Sequence, residues 1–504
     1  MSTDTAATDP SLSDAWPPAG PADIPALAGP GWTGPSWATE DPDWALVREL
    51  REVVSRELSE QLRARPGLSA DSQRELARAL IAQRVASWSD RQATTSGQPP
   101  PDPVQEAQLA DAVLAAIFGL GRIQPLVDDP GIENVDISGC DRVWIEYADG
   151  RIEPGAPVAD SDTALVEMLQ SFATYLGQTT RSFSTAHPTL RLKLPDGSRL
   201  TAIMAVTPRP EVHIRRHRLL DVTLDRLVTL GTLDPALLGF LRAAMRARRN
   251  IVVTGTVNVG KTTLVRALAG EIDRLERVVT IEKEYELLLH ELPERHARIV
   301  AMEAREGNAE AGLGEGTTNA GAGEVSLGVL LETALRMNPR RIIVGEVLGD
   351  EIVPMLRALA SGTSGSLCTI HARTARGVFD RIAELGLCAP QRIPIEAAHL
   401  LAVNGIDLVV HVDMLDERAT GGALQRYVTT VLEVAGIGEN GRPATNELFT
   451  PGPDGRAVPA GTPPSPRLLD QLLRAGFDPS LLDHPSGLWS ASLGTPTSMR
   501  NRRR

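Results

Sequence analysis

A chain of 504 residues, 42% of them hydrophobic, is long enough to bury more than one core, and usual domain sizes predict two to four domains. Its net charge of -13 argues against a protein whose main task is gripping nucleic acid through phosphate contacts, which calls for a basic surface. No apolar run reaches membrane-spanning length: the longest candidate, residues 400–415, is interrupted by Asn404, Asp407, His411 and Asp413.

The first residues, MSTDTAATDPSLSDAW, lack a basic start followed by an apolar block, so they do not read as an export signal, and a cytoplasmic protein is expected. Residues 1–40 mix Pro, Gly, Ala, Ser and Thr without a period and suit a disordered leader. In 41–120, apolar residues recur at helical spacing, at Leu46, Val47, Leu50, Val53, Val54, Leu58 and Leu62 and again at Leu76, Leu80, Ile81 and Val85, with a third helix at 104–118. Between 121 and 225, short alternating runs (ENVDISG, RVWIEY, LRLKL, EVHIRR) with turn signals predict a small α/β domain. From 226 to 436, buried-strand runs (IVVTG, RVVTIE, RIIVGE, SLCTIHA, DLVVHV, YVTTVLEV) alternate with helical segments, which predicts α/β architecture with a mostly parallel sheet covered by helices. The Gly-, Ala- and Glu-rich stretch 306–324 is expected to be a mobile surface loop, and 437–504 a Pro/Gly-rich tail with one helix at 466–475. Cys140, Cys368 and Cys388 lie far apart without metal-ligand spacing and are expected to be reduced, buried thiols.

Only three lysines occur, Lys193, Lys261 and Lys283, which makes the place of each informative. Gly255, Thr256, Val257, Asn258, Val259, Gly260, Lys261 and Thr262 fit G-x-x-x-x-G-K-[ST], directly after IVVT and ahead of a helix beginning at Thr263. Glycines let backbone N–H groups approach phosphate oxygens, a lysine's compact charge reaches the β- and γ-phosphates, and the Thr262 hydroxyl joins the shell of Mg²⁺. Residues Gly255 to Thr263 are therefore the expected ATP-binding set. RIIVGE ends an apolar strand in Glu346, where a metal-directed acid belongs; on spacing alone Glu346 is equally a solvated strand-end acid. RVVTIE ends in Glu282, followed by Glu284 and Glu286; a water-orienting base here competes with an ordinary acidic strand exit. His371 closes SLCTIHA at a strand end, where a lone histidine is more often structural.

Together the segments LGRIQPLVDDPGIENVDISG, RVWIEYADGR, LRLKLPDGSRL, VHIRRH, TGTVNVGKTTL, VVTIEKEYEL, LRMNPRRIIVGEV and SGTSGSLCTIHA resemble the traffic ATPases of type II and type IV secretion systems, most closely the branch that assembles Flp (Tad) pili, over roughly 41–436. The resemblance implies a RecA-like P-loop domain after a small N-terminal α/β domain. It implies a homohexamer acting with an integral-membrane platform protein, peripheral at the inner face of the cell membrane, with no stable nucleic-acid partner. It makes Glu282 the general base of an acidic box with Glu286 a second acid, Glu346 the residue acting on Mg²⁺ and its water, and His371 the second histidine of a histidine box. Arg199, Arg215, Arg216 and Arg305 lie in segments where such ATPases carry arginines that reach the nucleotide from the first domain or a neighbour.

Four departures stand out: Val257 and Asn258 replace Thr and Gly in the phosphate loop, Lys283 replaces the acidic box's Asp, Leu348 replaces an Arg and Thr363 the first histidine. Asn258 tolerates a left-handed backbone, so the loop is expected to close around phosphate. Lys283 is expected to pair with Glu282 or Glu286, weaken the base and slow hydrolysis. Alternatives to an ATP-driven motor are a weakly hydrolysing ring scaffold and a RecA-like nucleic-acid translocase.

Overall fold

The computed structural model describes residues 42–65, 67–95, 102–147, 150–175, 183–216, 221–305, 324–360, 362–418, 422 and 424–489. The leader and nearly all of the 306–324 stretch lie outside them. The chain divides into two compact units, 1–121 and 122–504.

The first unit holds three helices, α1 (Trp44–Ala64), α2 (Ala70–Thr95) and α3 (Pro103–Phe118). Asp43 caps α1 by accepting from the backbone of Ala45 and Leu46, and Asp102 with Gln105 forms a capping box ahead of Pro103. The periodic apolar positions Val47, Leu50, Val54, Leu58, Ala77, Leu80, Ile81, Val85, Leu109 and Val113 are all buried in one cluster.

The second unit opens with α4 (Gln124–Asp128), then β1 (Ile132–Ser138), β2 (Arg142–Tyr147), β3 (Ile152–Gly155), α5 (Asp162–Tyr175), β4 (Thr189–Lys193), β5 (Arg199–Ile203) and β6 (Glu211–Arg215). The strands form one six-stranded sheet in the order β3-β2-β1-β6-β5-β4. Alternation buries one face, with Val135, Ile137, Val143, Ile145, Leu190, Leu192, Leu200, Val212 and Ile214. On the other face, the ladder registers align Lys193, Arg199, Arg215, Asn134 and Glu146 in a row across five strands.

The rest of the unit runs α6 (Leu224–Thr229), α7 (Pro235–Arg246), β7 (Ile251–Gly255), α8 (Lys261–Ala269), β8 (Val278–Glu282), β9 (Ile299–Glu303), α9 (Leu327–Leu335), β10 (Arg341–Val347), α10 (Ile352–Ala360), β11 (Leu367–His371), α11 (Gly377–Cys388), α12 (Ile395–Gly405), β12 (Leu408–Asp416), β13 (Leu424–Ile437), β14 (Pro443–Pro451), β15 (Ala457–Pro459) and α13 (Pro466–Arg474). Its nine strands order as β15-β14-β13-β12-β7-β11-β10-β8-β9, parallel from β12 to β9 and antiparallel from β12 to β15. Apolar runs such as IVVTG and VVTIE are buried on both faces, as a helix-covered parallel sheet demands. One core gathers α7 and α8 against Ile251, Val253, Leu408 and Val410; the other gathers α9 to α12 against Val252, Val279, Val344 and Val409. This is the expected RecA-like α/β core.

Residues 437–489 are built into the core and are not the expected Pro/Gly-rich tail. β14 and β15 extend the sheet, and Leu448, Phe449, Ala457, Leu468, Leu472 and Phe477 are buried in the α7–α8 core. Phe240 stacks edge-on against both Phe449 and Phe477, at 5.4 and 5.7 Å between ring centroids. Further on, Trp489 covers the Arg456 guanidinium at 4.1 Å and donates to the Ala457 carbonyl. The turn residues that suggested a tail, Gly452 and Gly455 among them, are the corner of the β14–β15 hairpin, where the Gly455 N–H donates to the Gly452 carbonyl. A chain ending at 436 should therefore fail to melt cooperatively, and Phe449→Ala should cost about 3–5 kcal/mol in urea unfolding.

Candidate active site

β7 is central in the sheet, and the chain leaves its end through the turn 255–260 into α8. Asn258 adopts φ 62°, one of the few non-glycine residues in the left-handed region, and Gly260 follows at φ 92° as the N-cap of α8. The turn and the helix N-terminus aim backbone N–H groups at one point, the arrangement that receives phosphate. Thr263 and Val259 line the same cleft, while Val257 is exposed.

Lys261 is buried; its Nζ donates to the Thr256 carbonyl at 2.7 Å and to His371 Nδ1 at 3.2 Å. Since an ammonium only donates, Nδ1 accepts, and Nε2 carries the ring proton that bonds the Glu346 carboxylate. Lys261, His371 and Glu346 therefore form a chain across neighbouring strands β7, β11 and β10. Burial pulls Lys261 down to about 8, with Glu346 and Glu286 opposing and Arg215 assisting.

Glu282 closes β8 and is buried. Its Oε1 accepts from the N–H groups of Glu286 and Leu287 at 2.9 and 2.8 Å, while Oε2 has no hydrogen-bond partner among the described residues. Burial pushes its carboxyl up to about 7. The place for this side chain is made by β10: a Cβ on Gly345 would lie 2.9 Å from Glu282 Cγ and 3.1 Å from Oε1. Gly345, where many P-loop enzymes carry Asp, is thus the space that Glu282 fills. Glu286 accepts from the Thr262 hydroxyl at 3.0 Å and from Arg199 at 2.6 Å.

Among the sequence candidates the arginines separate. Arg199 and Arg215 share the inward row of the N-terminal sheet: Arg199 reaches Glu286, and Arg215 lines a cleft of about 270 Å³ with Asn258, Gly260 and Thr263. One residue further along, Arg216 also lines it, but its guanidinium donates to the Val127 and Asp129 carbonyls at 2.9 and 2.5 Å, a brace for the sheet. Arg305 exchanges backbone bonds with Val325 just beyond β9, four strands from β7, a separation of about 19 Å, so it is not brought to this turn. The expected pairing of Lys283 is not found: Lys283 is exposed, lies in the bend just past the end of β8, and forms no ion pair with Glu282 or Glu286 among the described residues.

Sequence reasoning missed Arg266, buried on α8 with a hydrogen bond to the Glu286 carbonyl, Arg426 on β13, and the cleft wall made by Leu227, Leu230 and Thr232. None belongs to a motif; only the fold exposes them, by placing β13 and the end of α6 beside the turn.

Thr262 and Glu346 offer oxygen donors of the kind Mg²⁺ takes, and the Thr262 hydroxyl already sits against a carboxylate at the mouth of α8, so the residues fit that ion. A phosphate-receiving turn, a buried lysine and two strand-end carboxylates define a P-loop ATP hydrolase. The family model described as "Type II/IV secretion system protein" matches residues 118–439, and the chain belongs to this family. It is 31% identical over 338 residues to the type IV secretion system protein PtlH of Bordetella pertussis, covering 62% of this chain and 93% of that one. With the type IV secretion system protein VirB11 of Brucella suis it shares 30% over 328 residues, 58% of this chain and 84% of that one. The crystal structure of the VirB11 ATPase from Brucella suis in complex with sulphate matches with 27% identity and a TM-score of 0.32, over 64% of this chain and 96% of that one. Among the described residues no helix is long and apolar enough to cross a membrane.

Two expectations follow. With Glu282 as the expected base, active only when ionised, and Lys261 as the expected phosphate ligand, strongest when protonated, kcat/KM for ATP should rise as pH passes about 7 and fall above about 8; Glu282→Gln should remove the acid limb along with most of the rate. Gly345→Ala, which pushes Glu282 aside, should lower kcat by about 10²-fold in steady-state assays while ATP affinity stays near that of the parent.

Proposed function

We propose that this chain hydrolyses ATP with Mg²⁺ to power a type II or type IV secretion machine, or assembly of a pilus of the Flp (Tad) branch. It works as a homohexamer at the inner face of the cell membrane, against an integral-membrane platform protein. What supports this reading above all is the chain Lys261–His371–Glu346 beside the half-satisfied Glu282 carboxylate, two acids and a buried cation around one phosphate-receiving turn.

In the proposed mechanism the N–H groups of 255–260 and Lys261 bind the β- and γ-phosphates. Thr262 and Glu346 would hold Mg²⁺, which would supply charge neutralisation to the phosphates. His371 orients Glu346 while accepting from Lys261. Glu282 takes a hydrogen bond from the attacking water on Oε2 and receives its proton, and its raised pKa makes it a stronger base than an exposed carboxylate. Arg215 and Arg199, on the sheet face toward the turn, are the arginines of this subunit offered to the γ-phosphate, while Arg216 braces the N-terminal sheet.

Turnover under assembling conditions tests the reading against the ring scaffold. Wild type should exceed Lys261→Ala by about 10²-fold or more, and dilution that dissociates the ring should reduce turnover. Equal rates for the two proteins would leave the scaffold standing, and stimulation by DNA or RNA would favour the translocase.

A further inference from the structure

Arg426 belongs to no motif, yet it reaches the phosphate-binding turn from the antiparallel side of the sheet. Its Nε donates to the Asn258 carbonyl at 2.8 Å, and its Nη2 lies 3.8 Å from Glu133 at the start of β1. Its Cδ would stand 3.5 Å from a Cβ on Gly260, so the side chain lies along the turn. The tip of the hairpin, next to Arg426, is braced as well: Arg418 pairs with Asp416 at 2.8 Å and with Glu146 of β2 at 2.7 Å. Arg426 thus bonds the turn from a fixed stretch of β13.

The atom it bonds matters. Asn258 sits at φ 62°, a conformation that Asn tolerates better than most L residues but holds less freely than glycine, so an outside contact helps to keep it. A glycine would hold the same backbone without help. The turn must keep this conformation for its N–H groups to converge on phosphate, and the described contact that enforces it from outside the turn is the Arg426 guanidinium on the Asn258 carbonyl.

We propose that Arg426 is a positioning residue for nucleotide binding: it holds Asn258 left-handed, and so compensates for a non-glycine residue in the phosphate-binding turn. The proposal rests on the reading that this turn binds ATP. Arg426 acts through Asn258 and not on the reacting atoms. Lysine cannot replace it, because Nε and Nη2 diverge toward two acceptors and an ammonium reaches one of them.

The experiment uses the full chain and four proteins: wild type, Arg426→Gln, Arg426→Lys, and Arg426→Gln combined with Asn258→Gly. Steady-state ATP hydrolysis, equilibrium binding of a fluorescent ATP analogue and thermal melting are measured on each. Arg426→Gln should raise KM and the analogue's Kd about tenfold with kcat within about threefold of wild type, and Arg426→Lys should recover little of the loss. Adding Asn258→Gly should bring KM and Kd back to within about threefold of wild type, because glycine needs no external hold. A KM for Arg426→Gln within twofold of wild type overturns the proposal, as does failure of Asn258→Gly to rescue a variant that melts like the parent. Wild type that shows no saturable ATP binding overturns the underlying reading of the turn as well, which separates the two failures.

Discussion

The catalytic layer depends on keeping one positive charge inside the protein. Burial disfavours the Lys261 ammonium, and the compensation comes from an acceptor on each side, the Thr256 carbonyl and His371 Nδ1, and from the charges of Glu346 and Glu286. Those partners cost the protein freedom elsewhere. His371 must offer Nδ1 as an acceptor to Lys261 and turn Nε2 to the Glu346 carboxylate, and β11 must lie between β7 and β10 so that the three side chains meet. Arg215 and Arg266 add positive charge around the same turn, so the surroundings of the turn favour a polyanion over water.

The N-terminal sheet is held against this core by two sets of ion pairs of opposite sense. On one side Lys193 and Arg199 meet Glu291, Glu284 and Glu286; on the other Glu146 and Glu133 meet Arg418 and Arg426. Partly exposed pairs are individually weak, about 0–1 kcal/mol each, so together they fix orientation more than stability. Arg199 is held by Glu286, and Glu286 also holds the Thr262 hydroxyl, so any anion that draws Arg199 or any cation that takes Thr262 loosens the same contact. Docking of the sheet and filling of the site are thereby coupled through one carboxylate.

The phosphate turn was legible in the sequence because phosphate chemistry dictates glycine, lysine and threonine at fixed spacing, and the flanking strand and helix follow from apolar runs. Glu346 and His371 were ambiguous one at a time, since a strand-end acid or histidine has a bland explanation; only the order β7-β11-β10 makes them partners. Lys283 misled because nearness in sequence is not contact: the strand ends at the buried Glu282, and the chain turns into an exposed bend at the next residue. The C-terminal segment misled differently: Pro and Gly mark the corners of tight antiparallel strands as well as tails, and the burial of Leu448, Phe449 and Leu472 depends on a partner helix, α7, about 200 residues earlier in the chain. Long-range packing of this kind leaves no local pattern.

The position of Lys283 also bears on rate. A lysine paired with the acidic box would lower the basicity of Glu282, but the carboxyl of Glu282 is raised by burial and its nearest cationic influence is Arg199, itself engaged by Glu284 and Glu286. Gly345 is what permits this. Any larger residue on β10 would displace the carboxylate toward solvent, where it would relax to an ordinary acid and a weaker base. The missing Asp of β10 and the raised pKa of the Glu282 carboxyl on β8 are therefore one feature seen from two strands.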